Sequence, residues 1–290
     1  MRLVVALGGN AIAPAGTGGS APEQTATISA AAGPLADLVA DGHDLVLTHG
    51  NGPQVGNLLV KNELAADIVP AMPLDWCVAQ TQATIGFTMT TALEAALAAR
   101  RVDRPVVPIV SRVLVDADDP AFHHPTKPIG KWQPDGTRRL VPSPEPQELL
   151  DRRALEVLMR GGALVVAAGG GGIPMIETPE GLRGVEAVID KDRCADLLAR
   201  TVDADRLVIL TDVEAVAVAF GTPDQRPLHD VSADELGRLL ADGEFADGSM
   251  RPKVEAVVRF VDRTGRTAAI GALEQLAEVV AGRSGTRVHP

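Results

Sequence analysis

The sequence predicts an α/β protein in which helices cover both faces of a mainly parallel sheet. Short aliphatic runs alternate along the chain with Ala/Leu-rich stretches of helical periodicity, and this alternation is typical of parallel sheets. Aromatic residues make up 2% of the 290 residues, whereas hydrophobic residues make up 46%. The core must therefore consist of Val, Leu, Ile and Ala, which buried parallel strands favour.

The elements can be placed in chain order. The predicted strands are RLVVAL (2–7), DLVLT (44–48), PVVPIV (105–110), ALVVAA (163–168), RLVIL (206–210) and TAAIGAL (267–273). The predicted helices are Thr25–Ala40, Asp75–Arg100, Glu148–Arg160, Lys191–Arg200, Ala233–Ala241, Lys253–Arg263 and Glu274–Ala281. No internal repeat or linker divides the chain, so we expect residues 1–290 to form a single domain.

Two segments depart from this rhythm. Residues 123–146, HHPTKPIGKWQPDGTRRLVPSPEP, are dense in Pro and Gly and have no apolar period. They indicate an excursion from the sheet, either a lid or a small protruding piece, and its full extent is placed at 112–147. The last residues, GRSGTRVHP, are expected to fray.

Composition excludes several function classes. The formal net charge is −11 and no cluster of Lys or Arg suggests a basic face, so nucleic acid is not an expected partner. Cys77 and Cys194 are far apart in the sequence and form neither a disulfide framework nor a zinc signature. No apolar run approaches the ~18 residues of a membrane span or has the form of a signal peptide. A cytoplasmic location without membrane attachment is the expectation.

Three strand ends run into glycine-rich turns: Gly8, Gly9 and Asn10; Gly50, Asn51 and Gly52; and residues 169–172, with Gly170 and Gly171 at the centre. Ligands of open α/β sheets bind beyond the carboxyl ends of the strands. Glycine lets backbone N–H groups approach an anion, and a following helix adds the positive end of its dipole. The turns match neither the P-loop nor the dinucleotide pattern. They indicate a polyphosphate site, although each turn alone could simply be a tight connection.

Lysines occur in the first turns of two predicted helices, where positive charge is mildly unfavourable. Lys191 opens one helix, and Lys253 follows Pro252 in another. A bound phosphate would reverse that balance. Lys127 lies between Pro125 and Pro128, which restrict the backbone around it. Solvated surface lysines remain the alternative.

Two carboxylates accompany the lysines. Asp192 is beside Lys191, and Asp212 follows a predicted strand. Each is a candidate to orient a lysine or to help hold Mg²⁺, and a helix-capping or turn role competes in both cases.

Taken together, these motifs resemble those of carbamate kinases in the amino-acid kinase superfamily. The resemblance runs in order through VVALGGNAI, HGNGPQVGNLL, AMPLDWCVAQTQATIGF, PTKPIG, VPSPEP, GGGGIP, GVEAVIDKD, LVILTDVEAV and GSMRPKVEA. It implies an open three-layer αβα sandwich, a homodimer, and Mg²⁺ with ATP or ADP. The implied reaction is reversible phosphoryl transfer between ATP and carbamate. In many bacteria this reaction runs toward ATP during the breakdown of arginine or related nitrogen compounds.

Site residues follow from the resemblance and the residue patterns. The catalytic set is Lys127, Lys191, Asp192 and Lys253. The phosphate- and substrate-binding set is Gly8, Gly9, Asn10, Gly50, Asn51, Gly52, Gly170 and Gly171. The nucleotide-binding set is Thr211, Asp212, Val213, Met250 and Lys253. No metal ligands are assigned, because Mg²⁺ is expected to be held mainly by the nucleotide phosphates.

Two departures from the family pattern bear on lid closure and on recognition of the nucleotide base. The segment between PTKPIG and VPSPEP is shorter than in typical relatives, so lid closure is in question. Ala217 and Ala219 stand where relatives often have Tyr and Asn, so base preference is also open. The rival hypotheses are a kinase of the same fold that acts on another small acid, and a nucleotide-binding paralogue without turnover.

Overall fold

The central sheet and the helices around it are described from a computed structural model that covers residues 1–8, 12, 19–130, 138–246 and 249–290. Its strands are β1 (Arg2–Leu7), β2 (Asp44–His49), β3 (Val106–Pro108), β4 (Arg112–Val115), β5 (Lys127–Ile129), β6 (Arg139–Val141), β7 (Pro146–Leu149), β8 (Leu164–Val166), β9 (Ile173–Thr178), β10 (Gly181–Gly184), β11 (Arg206–Thr211), β12 (Val216–Val218), β13 (Arg226–Leu228), β14 (Asp230–Ser232), β15 (Thr267–Ala272) and β16 (Thr286–His289). Its α-helices are α1 (Ala21–Ala40), α2 (Gly52–Ala65), α3 (Leu74–Ala99), α4 (Arg152–Arg160), α5 (Lys191–Thr201), α6 (Ala233–Ala241), α7 (Met250–Thr264) and α8 (Leu276–Ala281).

Eight strands form the main sheet in the order β14-β16-β15-β11-β1-β2-β8-β3. Neighbouring strands are parallel except for β15 and β16, which pair antiparallel. The predicted strands correspond to six of these eight. The predicted mainly parallel sheet is confirmed.

Helices cover both faces of this sheet, because its strands are buried on both sides. In β1, Val4 and Ala6 pack into one apolar cluster with α4, α5, α6 and α7. Leu3, Val5 and Leu7 of the same strand pack into a second cluster with α1, α3 and α8. Alternate side chains of a strand point to opposite faces, so this division gives the predicted three-layer αβα sandwich.

The excursion is built from short strands. The hairpin β5–β6 packs its Ile129 and Val141 against Val55 of α2 and Val78 of α3 in a third apolar cluster. Strands β4 and β7 join β9 and β10 in a separate four-stranded sheet. Residues 131–137, within the excursion, lie outside the described part of the chain.

Two predictions of secondary structure are wrong. Residues 148 and 149 belong to β7, not to the helix predicted for Glu148–Arg160, because they pair with β4 and the helix begins at Arg152. The chain end does not fray. Thr286 and Val288 of β16 are buried, and β16 pairs on one side with β15 and on the other with β14.

The length and hydropathy of the helices can be compared with those that a membrane span requires. Among the described residues, none of the helices is long and apolar enough to cross a bilayer.

Candidate active site

A cleft of about 360 Å³ opens beyond the carboxyl edge of the main sheet, where ligands of α/β sheets bind. The turn after β2, the hairpin β5–β6 and the N-terminal turns of α5 and α7 form its walls. Its described lining consists of Gly50, Asn51, Gly52, Pro53, Thr126, Lys127, Pro128, Ile129, Arg138, Ser143, Gly170, Val188, Ile189, Asp190, Lys191, Asp192, Arg193, Pro252 and Lys253. Three predicted lysines therefore meet in one place.

The second and third glycine turns pack directly against each other. A Cβ atom on Gly169 would lie 2.3 Å from Nε2 of His49, and one on Gly170 would lie 2.0 Å from Nδ2 of Asn51. The glycines after β8 thus make room for the side chains of His49 at the end of β2 and Asn51 in the turn after it. Asn51 in turn donates a hydrogen bond to Oγ1 of Thr81 at 2.9 Å, and this fixes its orientation.

Some predicted glycines are fixed by packing and do not line the cleft. A Cβ atom on Gly8 would lie 2.8 Å from the carbonyl oxygen of Leu210, and one on Gly171 would lie 2.5 Å from that of Ile189. Gly8 and Gly171 are absent from the described lining, and Gly9 and Asn10 lie outside the described residues. Gly50 lines the cleft, but its N–H donates to the Leu7 carbonyl at 3.1 Å.

Lys191 and Lys253 converge on one buried carboxylate. Lys191 is the first residue of α5 and its ammonium pairs with Oδ1 of Asp192. Lys253 reaches Oδ2 of Asp192 at 3.4 Å from the first turn of α7 and also donates to the Ser249 carbonyl at 3.0 Å. The Asp192 side chain is only 5% exposed. It therefore holds two ammonium groups side by side, as expected for a residue that orients lysines.

Lys127 forms a second ion pair, with a residue that sequence analysis did not single out. Its Nζ lies 2.6 Å from Oδ2 of Asp190, the N-cap residue of α5. Oδ1 of Asp190 accepts the backbone N–H groups of Asp192 at 2.9 Å and Arg193 at 3.3 Å. An Asp before a predicted helix is a recognisable N-cap signal, but its pairing with the distant Lys127 has no local signature.

Burial and neighbouring charges shift the pKa values of Lys253 and Asp190 in the wall of the cleft. Burial lowers the pKa of Lys253, and the charge of Asp192 offsets part of that effect. Burial alone would raise the pKa of Asp190, but the adjacent Lys127 ammonium outweighs it and holds the pKa well below the usual range for an Asp. Asp190 is therefore ionised at neutral pH.

Two arginines of the cleft were also missed. Arg138 and Arg193 belong to the lining, and Arg193 pairs with Glu255 at 3.1 Å and with Glu145 at 3.5 Å. Glu145 pairs in addition with Arg259. These ion pairs tie the returning end of the excursion to α5 and α7.

Most of the predicted nucleotide-binding residues lie apart from the described lining. Thr211 ends β11 at the same sheet edge and donates to Oδ1 of Asp212 at 3.1 Å. Val213 follows in the next turn, and Met250 is the first residue of α7. Of this set, only Lys253 is among the residues that line the cleft.

Comparison with known proteins decides the family. Residues 1–271 match the model of the amino acid kinase family. The chain belongs to the amino acid kinase family. This confirms the predicted superfamily and its αβα sandwich, and it makes the protein a phosphotransferase by kinship.

Individual relatives show which members of the amino acid kinase family this chain resembles. The chain is 41% identical to the carbamate kinase of Thermococcus kodakarensis over 310 aligned positions, which cover 99% of this chain and 98% of the relative. It is similar to a crystal structure from Aeropyrum pernix K1, with 44% identity, a TM-score of 0.95, and coverage of 100% of this chain and 99% of that one. A carbamate kinase from Giardia lamblia bound to AMP-PNP has 36% identity, a TM-score of 0.93, and coverage of 99% and 98%. The resemblance to carbamate kinases is confirmed.

The alignment also bears on chain length. It spans 310 positions, whereas this amino acid kinase has 290 residues. The Thermococcus relative therefore contains residues that this chain lacks.

Proposed function

We propose that the protein is a carbamate kinase that transfers a phosphoryl group reversibly between ATP and carbamate, giving ADP and carbamoyl phosphate. The observation that carries the proposal is the convergence of Lys127, Lys191 and Lys253 on one cleft at the carboxyl edge of the sheet. The names of the full-length relatives support the choice of carbamate. AMP-PNP in the Giardia relative supports an adenine nucleotide as the phosphoryl donor.

The residues suit a reaction between two anions. Carbamate already carries a negative charge, so its oxygen needs no general base to attack phosphorus. The main barrier is bringing charged groups together in line, and positioned cations lower it. Lys191 and Lys253 neutralise the phosphates from the nucleotide side, while Asp192 keeps both ammonium groups in place. Lys127 contacts the carbamoyl end from the excursion.

The turn residues hold the transferred group. Asn51 and Gly52 stand at the start of α2, where unpaired N–H groups and the helix dipole favour an anion. Gly170 lines the same wall. Gly9 and Asn10 are assigned to this group on the family resemblance, as are Thr211, Asp212, Val213 and Met250 for the nucleotide.

The donor set fits Mg²⁺ carried by the nucleotide. Mg²⁺ typically uses one or two carboxylates together with substrate phosphates and water. Among the described residues there is no cluster of three or more His, Cys, Asp or Glu side chains that could hold a metal by itself. Asp190 and Asp192, the carboxylates of the cleft lining, each pair with lysine. Nucleotide phosphates would supply most of the ligands, and the ion would neutralise charge on them.

The cellular setting is also inferred. Use of the reaction toward ATP synthesis, in the breakdown of arginine or related compounds, follows from the resemblance. A cytoplasmic location accords with Cys77 and Cys194, which are both buried free thiols.

The proposal includes a homodimer. Seven of the thirteen large apolar side chains exposed in the described residues lie between residues 60 and 87, on or near α2 and α3. Leu64 is 81% exposed and Ile68 is 85% exposed, and concentrated apolar surface marks interaction sites. The double variant Leu64→Glu, Ile68→Glu should sediment as a monomer where the unaltered chain sediments as a dimer. Identical sedimentation of the two would exclude this surface from the interface.

One assay separates the function from its rivals. Purified protein is supplied with ADP, Mg²⁺ and carbamoyl phosphate, and ATP is measured by a coupled reaction. We expect ATP formation well above the enzyme-free rate and its loss in Lys191→Ala. ATP formation only with acetyl phosphate or another acyl phosphate would indicate a kinase of a different acid. ADP binding by calorimetry without any turnover would indicate the nucleotide-binding paralogue.

A further inference from the structure

Asp190 uses both of its carboxylate oxygens in two separate tasks. Oδ1 caps α5 by accepting the N–H groups of Asp192 and Arg193. Oδ2 accepts the ammonium of Lys127 at 2.6 Å. The Asp190 side chain is 17% exposed and that of Lys127 is 22% exposed, so the pair is shielded from most of the solvent and held more firmly than a surface pair.

The ion pair of Asp190 with Lys127 offsets an electrostatic repulsion at the N-terminus of α5. The N-terminus of α5 carries partial positive charge, and Lys191 adds a full charge at its first position. The ammonium of Lys127 would be repelled by this positive charge unless a carboxylate lay between them. Asp190 is that carboxylate, and it connects the excursion to the helix that carries Lys191 and Asp192.

Lys127 needs such an anchor. It lies in β5, and four rotatable methylene groups separate its charge from the backbone. An ammonium has three N–H donors, and among the described residues Asp190 is the hydrogen-bond partner found for Nζ. Held by one N–H, the ammonium keeps two others for an anion in the cleft.

We propose that Asp190 is a positioning residue for the reaction: it anchors the ammonium of Lys127 beside the N-terminus of α5 and thereby directs its remaining N–H donors toward the carbamoyl end of the substrate. This proposal rests on the carbamate kinase function proposed above. It also requires the Lys127–Asp190 pair to persist when substrate binds. Asp190 is therefore not a competitor that substrate must displace.

The capping task can be separated from the anchoring task by one substitution. Asn is as good an N-cap as Asp, so Asp190→Asn should keep α5 intact while removing the charge that holds Lys127. Asp44→Asn is the matched control. Asp44 holds Arg2 and Arg104 in part-buried ion pairs, but it begins β2 and so lies at the opposite edge of the sheet.

Kinetics test the proposal. In the direction of ATP synthesis we expect Asp190→Asn to raise KM for carbamoyl phosphate about tenfold, with KM for ADP changed less than twofold. Asp44→Asn should leave both constants within twofold. Because Asp190 is held to act through Lys127, adding Asp190→Asn to Lys127→Met should change the already impaired rate less than twofold. A further large loss in the double variant would overturn the proposal.

Labelling gives a readout that does not depend on turnover. Brief acetylation followed by mass spectrometry reports the reactivity of each lysine, and the exposed Lys61 serves as the internal reference. We expect Lys127 to react several times faster in Asp190→Asn than in the unaltered chain, relative to Lys61. Equal reactivity in the two proteins would show that Asp190 does not hold Lys127.

The outcomes separate this proposal from the function on which it rests. If the unaltered chain makes no ATP from carbamoyl phosphate, the proposed function is wrong and so is this role. If the unaltered chain is active but Asp190→Asn has an unchanged or lowered KM for carbamoyl phosphate, only the role of Asp190 is overturned. A lowered KM would mean that Asp190 competes with substrate for Lys127.

Discussion

The close contact between Gly56 and Gly130 gives the sharpest prediction for the site. Gly56 lies inside α2, and a Cβ atom there would stand 1.9 Å from Cα of Gly130 and 2.5 Å from its backbone N. The N–H of Gly130 donates to the Gly52 carbonyl at 3.3 Å. The excursion is thus docked on α2 by backbone-to-backbone contact, with Lys127 only three residues before Gly130.

Gly56→Ala should push the excursion away from α2. Ordinary carbon–carbon contact needs about 3.5 Å, so the backbone at Gly130 must retreat by roughly 1.5 Å. A displacement of that size, carried along β5, would break the 2.6 Å bond between Lys127 and Asp190, since N–H···O bonds end near about 3.2 Å.

The cost in stability should be smaller than the cost in function. Overpacking costs about 1–3 kcal/mol, while replacing Gly by Ala in a helix interior returns about 1 kcal/mol. The net destabilisation should therefore be at most about 2 kcal/mol on these two principles.

Steady-state kinetics and calorimetry on the same preparations provide the assay. We expect kcat/KM for carbamoyl phosphate to fall at least about tenfold, which corresponds to about 1.4 kcal/mol, with ADP affinity changed less than twofold. Gly237→Ala is the control, because Gly237 lies inside α6 and its added Cβ would come no nearer than 3.9 Å to Val258. That variant should be unchanged in activity and slightly more stable. Normal carbamoyl phosphate kinetics in Gly56→Ala would refute the link between this contact and Lys127.

Three further predictions concern charge and backbone strain. Lys191→Ala and Lys253→Ala should each lower turnover by roughly 10²–10³, which is the usual loss when one preorganised charge is removed. Near-normal turnover in a variant with an unchanged circular dichroism spectrum would show that its lysine has no part in the reaction. Burial lowers the pKa of His49 to about 4 from 6.5, so between these values the unfolded chain binds a proton that the folded chain does not. Stability should fall by about 3 kcal/mol as pH drops through this window, and urea unfolding of His49→Gln should lack this component. Ala219 has φ +52°, a left-handed conformation that costs a non-glycine residue about 1–2 kcal/mol. Ala219→Gly should therefore raise the melting temperature, despite the extra entropy of its unfolded chain. An unchanged or lower melting temperature would contradict the presence of strain at this residue.

The main sheet was predictable because its signals are local. Runs such as RLVVAL and RLVIL are apolar after their first Arg, as expected for strands buried on both faces, and they became β1 and β11. Strand β16 was missed because its sequence, TRVH, is short and carries Arg and His. Its stability comes from pairing with β15 and β14, and that information is not local.

In the candidate site, too, some features are local in the sequence and others depend on residues that are far apart in the chain. The positions of Lys191 and Lys253 in first turns are local features, and the structure brings both to one carboxylate. The pairing of Lys127 with Asp190 joins residues 63 positions apart and depends on how the excursion folds. The sequence offered anion binding or a tight connection as reasons for the glycines after β2, whereas Gly56 is required by the approach of Gly130.

The charge of the cleft explains how an acidic protein can serve anionic substrates. The chain carries a net charge of −11, yet three lysines stand within one cleft. Without nearby carboxylates these ammonium groups would repel one another and the positive end of α5. Asp190 and Asp192 remove that repulsion while occupying only part of each ammonium's donor capacity, because each ammonium has three N–H groups. The carboxylates therefore hold the cations together before an anion arrives, and the anion does not have to displace them.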